Sequence, residues 1–273
     1  MENKGYKVFR YDDEQLAHFY EAKDKQVDLL ENQYLIIENK DGQSVDYYKK
    51  KNGQIESVKY NVIHSQMMGT IKPKNFAQYC AMDLLNDDSV PVKLIRGVYG
   101  SGKDFLMSAK AFDLIDKGKY DKIIYIRPNV TVKNVPDIGY LPAGVFDKLS
   151  WTLGPLYDKV GGEEGINYLI EGGKLELMPL LFVRGRSFEN SIVYVSEGQN
   201  ITTEIAKLLL GRIGKNSIMM INADTHQTDS KVFDQDNGIV TMIEKLSGNP
   251  LFGYVYLNET LRSETANLAN LLD

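Results

Sequence analysis

The sequence has 273 residues, 43% apolar and 25% charged, with a net charge of −5. That is ordinary globular composition for one large or two smaller domains, without the basic balance of a dedicated duplex-DNA binder. A single cysteine, Cys80, rules out an intrachain disulfide, and no uncharged apolar run approaches the roughly 18 residues of a membrane span. Met1–Tyr6 lacks the apolar core of a signal peptide, so the sequence reads as cytoplasmic.

In chain order, Asp13 to about Asn32 has helical spacing. Leu16, Phe19, Tyr20, Val27 and Leu30 share one broad face, with Asp12 or Asp13 as the cap. Three strand-like runs follow: Tyr34–Glu38, Ser44–Tyr48 and Ile55–Tyr60. The last two come after the turn dipeptides Asp41-Gly42 and Asn52-Gly53. Residues 1–70 therefore predict a helix plus a small antiparallel meander. Tyr47, Tyr48, Lys49, Lys50 and Lys51 sit by the second turn. Such a tip either stacks bases and meets phosphates of a single-stranded nucleic acid or is a solvated turn.

From Pro91 onward strands and helices alternate. Val92–Arg96, Lys122–Ile126, Ser191–Val195, Ser217–Ile221 and Gly253–Leu257 read as strands. Phe105–Asp116, about Thr203–Arg212 and Ser263–Leu272 read as helices. Short apolar strands between helices predict an α/β domain over 71–273, with a largely parallel, covered sheet. Residues 129–144 read as a long functional loop.

Gly97-Val98-Tyr99-Gly100-Ser101-Gly102-Lys103-Asp104 fits G-x-x-x-x-G-K between a strand and a helix. Glycines let backbone N–H groups face phosphate oxygens, the helix start favours the same anion, and Lys103 reaches the β and γ phosphates. The eighth position carries Asp104 where Ser or Thr normally ligates Mg2+. A carboxylate is also a good ligand for that ion. Without the metal it repels a triphosphate charge by about 4 kcal/mol at ~4 Å and an effective dielectric near 20. Glu197, after the apolar run Ile192–Val195, is a candidate to polarise an attacking water. Taken alone it is equally an exposed residue after a strand.

From about Lys72 onward the ordered motifs resemble the PhoH family of P-loop ATPases, relatives of superfamily 1 helicases. Asn75–Gln78 is similar to a glutamine motif that reads adenine, and the glycine loop follows. Ile126-Arg127-Pro128 resembles the family's TRP segment, Gly139–Pro142 its GFLPG, and Gly154–Asp158 its RPLYD. Pro179-Leu180 with Arg184-Gly185-Arg186 resembles its PL…RGR run. Ser196–Asn200 stands for DEAQN, Ala223–Gln227 for GD-x-x-Q, and Leu261-Arg262 for a late VR pair.

The resemblance implies a RecA-like P-loop fold binding ATP and Mg2+. It implies a nucleotide cradle of Gln78, Gly97, Val98, Tyr99, Gly100, Ser101, Gly102, Lys103, Asp104 and Phe105. Lys103, Glu197, Gln227 and Arg262 would be catalytic, with Gln227 sensing the γ-phosphate or orienting water. Arg262 is either an arginine finger or a surface helix-start residue. Arg127, Arg184 and Arg186 are candidates for nucleic acid or a subunit interface. A homo-oligomeric ring is implied by the family alone. The N-terminal meander resembles the segment before the ATPase core in longer relatives that carry a PIN nuclease; no PIN-sized region fits here, so no nuclease is expected.

Three positions depart from the pattern: Asp104 for Ser/Thr, Ser196 for the Walker B Asp, and Ala223 for Gly. The first two exchange a hydroxyl and a carboxylate around the metal, which keeps the local charge constant, so Asp104 and Ser196 are the expected metal ligands. The functions to be separated are Mg-dependent ATP hydrolysis coupled to RNA or single-strand remodelling, a nucleotide-binding scaffold without turnover, and a small-molecule kinase. The last is disfavoured by the absence of a lid-like arginine cluster.

Overall fold

A computed structural model describes residues 3–22, 25, 27–59, 62–128, 154–224, 228 and 230–261. The N-terminal sheet has the order β1-β2-β3-β4, with β1 at Tyr6–Arg10, β2 at Tyr34–Glu38, β3 at Ser44–Lys51 and β4 at Gln54–Ser57. The two turns form as the dipeptides require, with Gly42 at φ 78°, Asn52 at φ 51° and Gly53 at φ 78°. The sheet is not a pure meander, because β1 pairs with β2 in parallel.

Helix α1 covers Asp13–Glu21 and stops well short of Asn32. A capping box of Asp12 and Gln15 starts it, and Lys25 Nζ donates to the Phe19 carbonyl left open at its end (2.9 Å). Leu29 is buried beyond the helix, so the apolar residues here pack without helical periodicity. A hairpin of β5 (Ile63–Ser65) and β6 (Gly69–Ile71) leads to α2 (Phe76–Asn86), capped by Asn75.

The second sheet is six-stranded and parallel throughout, ordered β12-β7-β11-β10-β8-β9. Its strands are β7 (Val92–Gly97), β8 (Lys122–Ile126), β9 (Leu175–Leu177), β10 (Ser191–Val195), β11 (Ile218–Ala223) and β12 (Phe252–Leu257). Helix α3 (Lys103–Asp116) follows β7, and α4 (Gly154–Tyr157) and α5 (Gly162–Glu171) precede β9. After β10 come α6 (Thr203–Leu210), and after β11 α7 (Val232–Gln235) and α8 (Gly238–Leu246).

Both sheet faces are covered, which explains the unbroken apolar runs. Ile95, Ile123, Ile192, Met220 and Val255 face α2 and α3, while Leu94, Ile124, Val193, Met219 and Ile221 face α6 and α8. The first face extends into the N-terminal sheet through Tyr6, Tyr34 and Ile36, so the core is continuous across residue 70. Backbone contact reinforces the join. A Cβ on Gly5 would lie 1.8 Å from the Tyr254 carbonyl oxygen, and Tyr256 N–H donates to Lys4 O at 2.9 Å.

A buried ionic network also crosses this join. Asp83 Oδ2 accepts from Tyr34 Oη (2.9 Å) and Lys49 Nζ (2.7 Å), and Lys49 also reaches Asp87 Oδ2 (2.9 Å). Lys51 Nζ contacts both Asp87 oxygens at 2.9 Å. Burial opposes the Lys49 charge, but Asp83 and Asp87 hold its pKa above the ordinary value. Lys50 Nζ donates to Leu29 O (2.9 Å), and Tyr47 stacks on Tyr79 with ring centroids 4.3 Å apart. Of the tip that the sequence left as a nucleic-acid contact or a solvated turn, Lys49 and Tyr48 are buried, and Lys49, Lys50 and Lys51 all have internal partners. The cause is strand alternation, which turns Tyr47, Lys49 and Lys51 together toward α2.

Candidate nucleotide site

β7 ends at Gly97, and the chain reaches α3 at Lys103 through Gly100 (φ 74°) and Gly102 (φ 88°), a left-handed conformation suited to glycine. A Cβ on Gly97 would meet Ser101 Oγ at 2.6 Å, and one on Gly102 would meet Gln78 Nε2 at 2.7 Å. The loop therefore takes no side chain at either place. Lys103 is 8% exposed, and its Nζ donates to Gly97 O (3.0 Å) and Val98 O (3.3 Å) with Asp224 Oδ2 at 3.6 Å. Tyr99 and Phe105 are exposed at the loop's outside. Residues 258–261 brace that side: Thr260 Oγ1 donates to Tyr99 O, Leu261 N–H to Gly100 O (3.0 Å), and Asn75 Nδ2 to Glu259 Oε2 (2.9 Å).

Gln78 is buried beneath the loop. Its Nε2 donates to Ser101 O (3.0 Å) and its Oε1 accepts from Lys74 N–H (3.0 Å). These bonds make it a buttress of the phosphate loop, while an amide retains one further donor and one further acceptor position.

Ser196 and Glu197 follow β10, which is separated from β7 by β11. Glu197 takes a left-handed conformation (φ 56°, ψ 44°), costing on the order of 1 kcal/mol or more. Its N–H donates to Asn222 Oδ1 (2.9 Å), and its Oε2 accepts from Gln199 Nε2 (2.6 Å). Arg127 lies 3.9 Å from Glu197 Oε1. The turn needs Gly198, since a Cβ there would lie 2.7 Å from Ile221 Cγ2 and 2.9 Å from Asn222 O. Gln199 Oε1 accepts from Asp224 N–H (2.9 Å), so one amide fixes both acidic segments.

Asp104 Oδ1 accepts from Asn222 Nδ2 at 2.5 Å, with the Tyr194 hydroxyl at 3.5 Å. Burial pushes the Asp104 carboxyl above its usual range; Glu197 adds to the push, while Lys159, Lys103 and Arg127 oppose it. Lys159 Nζ lies 3.4 Å from Ser108 Oγ and 5.7 Å from the centroid of the Phe105 ring. Burial lowers its pKa to about 8 against the pull of Asp104 and Asp158.

Among the sequence candidates, Lys103, Asp104, Ser196, Glu197 and Arg127 converge on the carboxyl ends of β7, β11, β10 and β8. Arg184 lies elsewhere beside Glu204 (3.6 Å), and Arg186 pairs with Glu176 (2.7 Å). Gln227, Arg262 and residues 129–144 lie outside the described residues. Asn222, Gln199, Tyr194 and Lys159 escaped the sequence reading. The available signal was an amide inside the apolar run Ile218–Ala223.

The oxygen set suits a hard divalent cation. Ser196 Oγ and Ser101 Oγ are buried and make no hydrogen bond of normal geometry, the Tyr125 hydroxyl being a polar neighbour of Ser196. With the Asp104 carboxylate they offer the few protein oxygens that Mg2+ uses beside phosphate and water. Among the described residues no group of three or more His, Cys, Asp or Glu could hold a metal by itself.

A parallel sheet whose inner strand turns through a glycine loop into a helix, with an acidic turn after the next strand but one, defines an ATP-binding P-loop protein of the α/β class. The sequence model described as "PhoH-like protein" matches residues 70–270. "Protein PhoH2" of Bacillus subtilis (strain 168) is 33% identical over 210 residues, covering 73% of this chain and 47% of that protein. "Protein PhoH2" of Thermobispora bispora is 32% identical over 202 residues, covering 72% and 46%. The crystal structure of Pif1 helicase from Candida albicans aligns with a TM-score of 0.39 and 15% identity, over 74% of this chain and 43% of that one. The chain belongs to the PhoH family. It spans about half the length of these PhoH2 relatives. Among the described residues, no helix is long and apolar enough to cross a membrane.

Proposed function

We propose that the protein hydrolyses ATP with Mg2+ and couples turnover to remodelling of RNA or another single-stranded nucleic acid, acting as a homo-oligomeric ring. The observation that carries the hydrolysis is the convergence of Lys103, Asp104, Ser196 and Glu197 around one glycine loop. Lys103 would exchange its bonds to the Gly97 and Val98 carbonyls for β- and γ-phosphate oxygens, and the loop N–H groups would hold the same phosphates. Asp104 and the Ser196 hydroxyl would hold the metal, which neutralises phosphate charge when bound. Glu197, clamped by Gln199 and by its own N–H, would orient the attacking water in line with the γ-phosphate. Gln227 and Arg262 complete this reading as γ-phosphate sensor and arginine finger. The nucleic-acid arm rests on the helicase kinship of the motifs and on the arginines, since the β3 lysines have internal partners.

The same exchange of carboxylate and hydroxyl motivates a second reading, a nucleotide-dependent scaffold that binds ATP without turnover. Phosphate release measured with Mg2+ or EDTA, with and without single-stranded RNA, tests both, with Lys103→Ala as control. Mg-dependent release that RNA stimulates and Lys103→Ala abolishes is expected. Tight binding without release supports the scaffold, and absence of Mg-supported nucleotide affinity sinks both.

A further inference from the structure

We propose that Asn222 is a positioning residue that ties Asp104 to Glu197, so that metal ligand and water-orienting carboxylate keep one relative geometry. The inference rests on the ATPase reading and adds a residue to it. Asn222 is fully buried at the end of β11, the strand between those that lead to Asp104 and Glu197. A backbone N–H can only donate, so the bond from Glu197 N–H at 2.9 Å fixes Oδ1 toward Glu197. The amide N–H groups must then face Asp104, where Nδ2 lies 2.5 Å from Oδ1. One planar group thus links residues separated by 118 positions on one side and 25 on the other.

The bridge meets a need that Asp104 creates. A carboxylate only accepts, and its terminal torsion is broad, so it needs a donor to hold its orientation. The Tyr194 hydroxyl closes the set, 3.5 Å from both Asp104 Oδ1 and Asn222 Nδ2. Simple satisfaction of a buried amide would require no particular partners. Here both partners carry roles in the proposed reaction.

The test uses Asn222→Ala and Asn222→Asp in the full chain. The aspartate keeps an acceptor for Glu197 N–H but loses the donor to Asp104. Affinity for a fluorescent ATP analogue is measured in EDTA and in Mg2+, beside kcat and KM for ATP. In EDTA Asn222→Ala is expected to bind within about twofold of wild type, which also reports an intact loop, whereas Asn222→Asp binds more weakly because it adds a carboxylate beside Asp104. The Mg-linked gain in affinity and kcat are each expected to fall roughly ten- to a hundredfold, the worth of a charge-assisted bond, with KM for ATP in Mg2+ rising as that affinity is lost. If Asn222→Ala does not fold, the Asn222→Asp variant decides alone. Wild-type values of kcat and Mg-linked gain in the variants overturn the proposal, as does a loss confined to KM. A wild-type protein that shows Mg-linked affinity but no turnover leaves the affinity gain as the deciding measurement. A wild-type protein with neither overturns the ATPase reading, and this inference with it.

Discussion

Replacing Lys49 with methionine should disrupt the buried ion cluster that ties β3 to α2 and destabilise the fold. The Lys49 side chain is 11% exposed and those of Asp83 and Asp87 are 9% and 7%. After the change Asp87 keeps Lys51 and Ser89, whereas Asp83 keeps only the Tyr34 hydroxyl among the bonds described above. Removing one partner of a buried pair costs about 3–5 kcal/mol, because a charge is left uncompensated. Retained bonds at Asp87 place the expected loss near the lower bound, about 3 kcal/mol. For a chain of this size that corresponds to roughly 6–12 °C in Tm. Urea unfolding followed by circular dichroism measures it. Lys49→Met with Asp83→Leu should recover most of it. A loss under about 0.5 kcal/mol, the range of ordinary surface substitutions, would refute the burial argument. If single-stranded RNA binding fell without loss of stability, the nucleic-acid reading of the tip would return.

Asp104→Thr and Ser196→Asp should each reduce Mg-dependent phosphate release, and the double variant should recover part of it. The coupling is expected to reach about 1.4 kcal/mol, a tenfold effect in rate, and a double variant worse than both singles rules out compensation. Gly198→Ala should lower kcat and stability together, by about 1–3 kcal/mol in the latter, because its Cβ would enter space held by Ile221 and the Asn222 carbonyl; an unchanged unfolding midpoint contradicts this. Burial lowers Lys93 to about 7 and Lys159 to about 8, both from 10.5. Above pH 7 the folded chain therefore sheds these protons before the unfolded chain does, and stability should rise with pH, by up to about 1.4 kcal/mol per unit from Lys93. Partial exposure of Lys159 reduces its share. Urea midpoints at pH 7 and 8.5 check the sign below the range where Cys80 and Tyr34, both pushed up by burial, oppose it. A falling midpoint contradicts the assignment.

Strands buried on both faces announced themselves: Lys122–Ile126 and Ser191–Val195 form where their apolar runs lie. β1 did not, because its five residues are stabilised by pairing with a strand 28 positions away in register, Tyr6 against Tyr34. The three-residue β9 is too short to show a period. The phosphate loop was legible because its chemistry is contiguous. Asn222 was not, because its meaning lies in partners from two other strand ends. The internal partners of the β3 lysines were not legible for the converse reason. Charge beside aromatics at a turn suggests solvent, and only the pairing of β3 with its neighbours shows that alternate side chains point to α2. Motif order carried the family assignment, which needs no three-dimensional information.

Helix α2 joins two places that its sequence does not connect. Near its start Gln78 grips the carbonyl of Ser101, and Asp83 and Asp87, at and just past its end, grip Lys49 and Lys51. Its 11 residues make a rod about 16 Å long. A rod held at both tips transmits displacement, so whatever grasps the small N-terminal sheet has a handle on the triphosphate cradle. Deleting the first seventy residues would strip a wall from the P-loop domain and take Tyr34, Lys49 and Lys51 away from the two acidic groups at the end of α2.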